Sequence, residues 1–283
     1  MVYKRRIKQG LKVGIIGCGA IGCSLAKAID EGVIDGVKLS IIFDSSQQQM
    51  DNLLPQLKSR CLGAKTFSEF IETEDLDLVI EAASQEAAKQ YSEKILESKK
   101  DLLILSVGAL LDNGIYKNII QTARRSGSHV FIASGAIAGV DAIKAAKRAG
   151  LEEVLLITRK NPKSFKNLNF KSKKMGTGRL SEPTVLYEGS ALEAVKIFPA
   201  NVNVAATLSL VGLGAKKTKV RIIADPRISE NIHEIFCKGI SGEIHITVKN
   251  LPHPNNPGSS YLAALSTLEM IKRLSSKGVI IGT

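Results

Sequence analysis

The stretch Lys12-Val13-Gly14-Ile15-Ile16-Gly17-Cys18-Gly19-Ala20-Ile21-Gly22 decides the fold. An apolar strand runs directly into glycines spaced G-x-G-x-x-G, the pattern of a strand, turn and helix that grip a dinucleotide. Gly17 would turn the chain sharply, Gly19 would let backbone N–H groups approach a pyrophosphate, and Gly22 would let the helix pack against its strand. Ala20 and Ile21 lie in that turn, ahead of a helix N-terminus whose unpaired N–H groups and dipole favour the phosphates.

Working outward, a second apolar strand over Val37–Phe43 ends at Asp44, 22 residues after Gly22. An acid there accepts hydrogen bonds from the adenosine ribose and repels a 2′-phosphate, so NAD is expected, with NADP as the alternative. The β-α alternation continues: helices are expected over 22–29, 45–61, 87–98 and 115–126, and strands over 65–67, 77–82, 101–106 and 129–133. This order predicts an α/β fold of Rossmann type, a doubly wound parallel sheet. Ligands of such sheets lie beyond the carboxyl ends of the strands, which places Ala83 and the segments 106–109 and 134–137 along the cofactor crevice.

From residue 153 the pattern changes to short strands (153–158, 184–187, 219–224, 232–237, 243–250) with helices at 190–196 and 202–212, which predicts a second α+β domain with a mixed sheet. The Pro- and Asn-rich segment 252–258 breaks the chain before an amphipathic helix over 259–274 that returns to the first domain. The expected division is 1–138 plus 256–283 for the dinucleotide and 139–255 for substrate binding and dimerisation.

Composition narrows the class. The 283 residues are 44% apolar, enough for a packed core of one or two domains. The basic N-terminus does not read as an export signal, because the uncharged run behind it is the glycine pattern itself. No stretch suits a membrane span. Cys18, Cys23, Cys61 and Cys237 show no C-x-x-C spacing, which points to a reduced, cytoplasmic protein without a metal site. The net charge is +12, and residues 159–179 hold eight Lys or Arg and no acid. A solvated basic loop that attracts an anionic substrate is the expectation, and nucleic-acid binding is not, since no nucleic-acid motif accompanies the charge.

Among the histidines, His129 reads as structural, His253 as a loop residue and His245 as facing the polar side of its strand. His233, in Asn231-Ile232-His233-Glu234-Ile235 after Pro226, is the candidate for moving protons.

The order of Gly17 to Gly22, Ser134-Gly135-Ala136-Ile137-Ala138-Gly139, Thr158-Arg159-Lys160-Asn161-Pro162, Glu188-Gly189-Ser190-Ala191, Phe198-Pro199-Ala200-Asn201-Val202-Asn203-Val204-Ala205-Ala206, Asn231-x-His233-Glu234 and Asn255-Asn256-Pro257 resembles the L-aspartate dehydrogenase family over nearly the whole chain. The resemblance implies NAD-dependent oxidation of L-aspartate to iminoaspartate, then hydrolysis to oxaloacetate and ammonia, reversibly. It implies that His233 is the active-site residue, that Ala136 and Asn203 bind NAD, and that the protein is a homodimer. By residue type alone, Asn203 reads as a helix N-cap. An ordinary imidazole pKa near 6.5 would let His233 activate water against the imine. The two carboxylates of a dicarboxylic amino acid need cations or convergent N–H groups, for which Arg159, Lys160 and the turn beginning at Ser134 are the candidates. The rival readings are a reductase resembling dihydrodipicolinate reductase and a non-catalytic NAD-sensing regulator.

Overall fold

The computed structural model of the protein describes residues 10–165, 180–199, 202–276, 279, 281 and 282. The chain divides into two compact units, Met1–Ala133 with Ala264–Thr283, and Ser134–Ala263.

In the first unit the elements run β1 (Leu11–Ile16), α1 (Ala20–Asp30), β2 (Val37–Phe43), α2 (Gln47–Leu53), β3 (Leu62–Gly63), α3 (Phe67–Ile71), β4 (Leu78–Glu81), α4 (Gln85–Glu97), β5 (Asp101–Ile104), α5 (Asn113–Ser126) and β6 (Val130–Phe131). The six strands are parallel and lie in the order β3-β2-β1-β4-β5-β6. This is the expected doubly wound sheet, and its order reverses between β1 and β4, where such folds bind their ligands. The central strands are apolar on both faces because helices cover both: Val13, Ile15, Leu78 and Ile80 are buried on one face, and Ile16 and Val79 on the other. Helix α1 buries Gly22, Leu25, Ala26 and Ile29, one helical stripe, against that sheet.

Two local expectations fail for identifiable reasons. The helix expected over 45–61 ends at Leu53, where a single tight turn over Leu54–Gln56 carries Pro55 and stops it. The strand expected at 65–67 is the entry to α3: Thr66 caps that helix through Glu69 N–H, and the Glu69 carboxylate accepts from Lys65 N–H at 2.8 Å. The T-x-x-E spacing of a helix start outweighs the strand preference of Thr66 and Phe67.

The second unit contains α6 (Val140–Ala149), β7 (Leu151–Lys160), β8 (Thr184–Ser190), α7 (Ala191–Ile197), α8 (Asn203–Val211), β9 (Lys219–Ala224), β10 (Asn231–Gly239), β11 (Gly242–Asn250), β12 (Pro252–His253) and β13 (Asn256–Ser260). Its five-stranded sheet is mixed, in the order β11-β10-β7-β9-β8, with β7 and β9 parallel and the other pairs antiparallel. Helix α6 was not anticipated, and the segment read only as a chain break at 252–258 forms the β12–β13 hairpin. Helix α9 (Tyr261–Ser275) begins at the end of this unit, and its Ile271 joins the core of the first unit beside Leu25, Ile29 and Met50. Of the basic loop expected over 159–179, residues 166–179 lie outside the described residues.

Candidate functional site

The dinucleotide half is built from backbone. Gly17, at the end of β1, has φ +100°, and a Cβ there would lie 2.7 Å from the Ala82 carbonyl. A Cβ on Gly22 would lie 1.8 Å from the Gly17 carbonyl oxygen, whereas a Cβ on Gly19 would have nothing within 4 Å. Two of the three glycines are therefore demanded by the protein's own packing. The third leaves an open approach at the N-terminus of α1, whose cap, Gly19, offers no side chain to compete for the first N–H groups. Ala20 and Ile21 form the first turn behind it. That open cradle fits a pyrophosphate.

Asp44 stands at the end of β2. One of its oxygens accepts from Cys18 N–H at 2.7 Å and the other from Ser46 N–H at 2.8 Å. The carboxylate thus ties the glycine loop to the neighbouring strand end, and it keeps lone pairs for ribose hydroxyls. Burial pushes the Cys18 thiol up to about 12, with Asp44 adding to the rise, so this cysteine within the loop is an inert packing residue.

Ala83 is exposed, and its N–H donates to Glu81 Oε1 at 2.9 Å. Sequence reasoning missed Glu81. It is fully buried at the end of β4, accepts from Ser106 N–H at 2.9 Å and Ser106 Oγ at 2.8 Å, and so ties the ends of β4 and β5 together. Burial raises its pKa.

The second unit holds Ser134, Ala136, Arg159, Lys160, Asn203 and His233. Along β7 and β10 exposure alternates strictly. Val154, Leu156, Thr158 and Lys160, with Asn231, His233, Ile235 and Cys237, are buried on one face, and the residues between them face the other way. Thr158 pairs with His233 in register, and Asn231 of β10 pairs with Asn250 of β11. The buried face is apolar along most of its length and turns polar at the end where Lys160, Asn231 and Asn250 sit. This places Lys160 with His233 and sends Arg159 to the opposite face, where its Nε donates to Glu234 at 3.2 Å.

Lys160 is 5% exposed, and its Nζ donates to the Gly258 carbonyl at 2.8 Å. Burial lowers its pKa to about 8, which leaves an ammonium at neutral pH in a dry setting. His233 is 2% exposed, with Nδ1 3.0 Å from Thr158 Oγ1. Burial, and after it the charge of Lys160, lower the imidazole to about 3. An imidazole titrating in its ordinary range was expected. The structure instead holds a neutral ring that is a poor base, because both the low dielectric and a neighbouring cation oppose a second proton.

Asn250 Nδ2 donates to the Ala136 carbonyl at 2.9 Å and fixes the turn in which Gly135 and Gly139 both adopt positive φ. Asn231 Nδ2 reaches Ser260 Oγ at 3.3 Å. Asn203 is the first residue of α8 and half-buried; the cap position belongs to Val202, so Asn203 is not the N-cap that its residue type suggests. The period of two in Thr158-x-Lys160 and Asn231-x-His233 was the available signal for this cluster. Asn250 and Ser260 had none, since their placement depends on strand register and on the hairpin.

The family model described as "Aspartate dehydrogenase, C-terminal" matches residues 141–274, and that described as "Homoserine dehydrogenase, NAD binding domain" matches residues 17–133. The chain is 42% identical over 274 residues to an L-aspartate dehydrogenase of Methanosarcina barkeri, covering 96% of this chain and 100% of that protein. It is 38% identical to the L-aspartate dehydrogenase of Nitrosopumilus maritimus, over 96% and 99% of the two chains. The crystal structure of aspartate dehydrogenase from Thermotoga maritima superposes with a TM-score of 0.73 at 29% identity, covering 95% of this chain and 99% of that one.

Proposed function

Because the chain belongs to the L-aspartate dehydrogenase family, we propose that it oxidises L-aspartate with NAD to iminoaspartate, which water converts to oxaloacetate and ammonia. In the oxidation the Cα–H bond breaks as a hydride, the amine loses a proton and a C=N bond forms. Bound NAD supplies the hydride acceptor. The glycine cradle of Gly17, Gly19, Ala20, Ile21 and Gly22, with Asp44 for the ribose, holds the dinucleotide. Ala83, Ala136 and Asn203 are the further cofactor contacts in this reading.

The observation that carries the substrate reading is the pairing of a buried ammonium, Lys160, with a buried neutral imidazole, His233, on one face of one sheet. A buried ammonium that donates to the Gly258 carbonyl has further N–H groups and a charge that suit an anionic ligand. A substrate carboxylate is the anionic group proposed for Lys160, and the turn that starts at Ser134 offers backbone N–H groups to a second one. Orientation of the substrate is the protein's main contribution, since a near-attack geometry accounts for about 7–11 kcal/mol in well-oriented model reactions.

The outward face of the mixed sheet supports a homodimer. Leu155, Ile157, Ile232 and Phe236 stay half-exposed there, and β8 and β11 are open edges. A monomeric mass in solution would contradict it.

The test is reduction of NAD, followed by NADH absorbance, with L-aspartate beside L-glutamate and L-alanine, in wild type and His233→Ala. Turnover with aspartate alone that falls about 10²-fold in the variant is the expected result. Absence of turnover in a protein that binds NAD overturns the reading.

A further inference from the structure

Thr158 and His233 face each other across the paired strands β7 and β10, and both are buried. Their side chains meet at 3.0 Å, Oγ1 to Nδ1, and among the described residues each is the other's only side-chain hydrogen-bond partner. A threonine hydroxyl has one proton to place, and a neutral imidazole has one N–H. Were Nδ1 to carry that N–H and donate it, the hydroxyl proton would be left buried without an acceptor, the costly half of an incomplete hydrogen bond. With Oγ1–H donating to Nδ1, the hydroxyl proton is satisfied and the imidazole proton must sit on Nε2, an atom that is not among the fully buried side-chain atoms left without a partner.

We propose that Thr158 is a positioning residue that fixes His233 as the Nε2–H tautomer, so that His233 meets the substrate as a hydrogen-bond donor to a carboxylate oxygen rather than as a base. This deepens the proposed function and rests on His233 facing the substrate. Lys160, two residues along β7 on the same buried face, discourages a second proton on the ring and keeps the tautomer neutral. Two donors, the Lys160 ammonium and the His233 Nε2–H, then occupy one polar end of an otherwise apolar sheet face, which suits an anionic substrate. Threonine is apt for this duty: in a strand its branched side chain has few rotamers, so the hydroxyl is held where the register puts it.

The experiment is long-range ¹H–¹⁵N NMR of the full-length protein with ¹⁵N-labelled histidine at neutral pH, the His233 signals assigned by their loss in His233→Gln. The expected spectrum shows Nε2 protonated and Nδ1 bare. Thr158→Val, which keeps the shape and removes the hydroxyl, should mix the tautomers and lower kcat/KM for aspartate about tenfold. Thr158→Ser should restore both. An Nδ1–H signal in wild type overturns the proposal, as does a Thr158→Val protein with unchanged tautomer and kinetics. If Thr158→Val does not fold, the wild-type spectrum and Thr158→Ser still decide. A wild-type Nε2–H spectrum together with full activity in His233→Ala would leave the tautomer assigned and overturn its consequence for substrate.

Discussion

The two units build their candidate sites by opposite means. In the first, the glycine loop works through backbone and through missing side chains: Gly17 and Gly22 have no room for a Cβ, and Gly19 leaves an approach open. In the second, Lys160, His233, Asn231 and Asn250 are buried polar side chains from three strands, brought together by register. A backbone site is demanded by local geometry and tolerates almost any sequence outside its glycines. A side-chain site carries the cost of burying charge, and it is worth that cost only if a ligand meets it.

The largest effects should come from the glycines, and they should separate folding from binding. Gly22→Ala or Gly17→Ala drives a Cβ into backbone. Each is expected to destabilise the protein by about 1–3 kcal/mol and to weaken NAD binding by at least about 10²-fold, read by thermal melts and calorimetry. Gly19→Ala meets nothing, so its stability should change by no more than about 1 kcal/mol, the range for a helix cap, while NAD affinity still falls. A Gly19→Ala protein that binds NAD like wild type would show that the phosphates do not lie on this loop.

Lys160→Met sharpens the contrast from the other side. Removing a buried charge and keeping the bulk should leave stability equal or higher, since burial costs that ammonium some of its affinity for protons. The same change should raise the aspartate KM about 10²-fold and leave NAD affinity untouched. A large loss of stability would mean that Lys160 is a structural tie to Gly258 and not a substrate group.

How legible each half was in the sequence follows from the same contrast. The G-x-G-x-x-G spacing and Asp44 are local signals, and the doubly wound order of strands follows from alternating apolar runs, so the first unit was readable nearly element by element. In the second unit the strands over 219–224 and 243–250 were visible, but what they bring together was not. Thr158 meets His233 across 75 residues, and Lys160 meets Gly258 across 98. Only the period of two hinted that neighbouring Arg159 and Lys160 point to opposite faces. The ordinary pKa expected of His233 failed for a related reason: burial and a neighbouring cation are properties of the assembled sheet.

The buried imidazole also has a signature in stability. His233 is lowered from 6.5 to about 3 in the fold, so above pH 6.5 it is neutral in both folded and unfolded chains and has no effect. Between pH 6.5 and 3 the unfolded chain binds a proton that the folded one refuses, and stability falls on acidification by about 1.4 kcal/mol per pH unit from this group alone. Urea melts of wild type and His233→Gln between pH 4 and 7 should diverge by that slope. Parallel curves would mean that the ring is not held neutral.

The smallest effect tests the division of β7 into faces. Arg159 adjoins Lys160 in sequence but pairs with Glu234 on the half-exposed face, and both side chains of that ion pair are partly exposed. Such pairs contribute about 0–1 kcal/mol and weaken with salt. Arg159→Ala should therefore leave the aspartate KM within about twofold of wild type, because one residue along a strand reverses the side chain's direction. The face it does occupy is the one proposed to bury itself in a second copy of the chain, so any effect should appear in the mass measured at low concentration, and Glu234→Ala should show the same one. If Arg159→Ala instead raises KM as Lys160→Met does, the substrate reaches both faces of the strand end, and the assignment of the buried face as the substrate side fails.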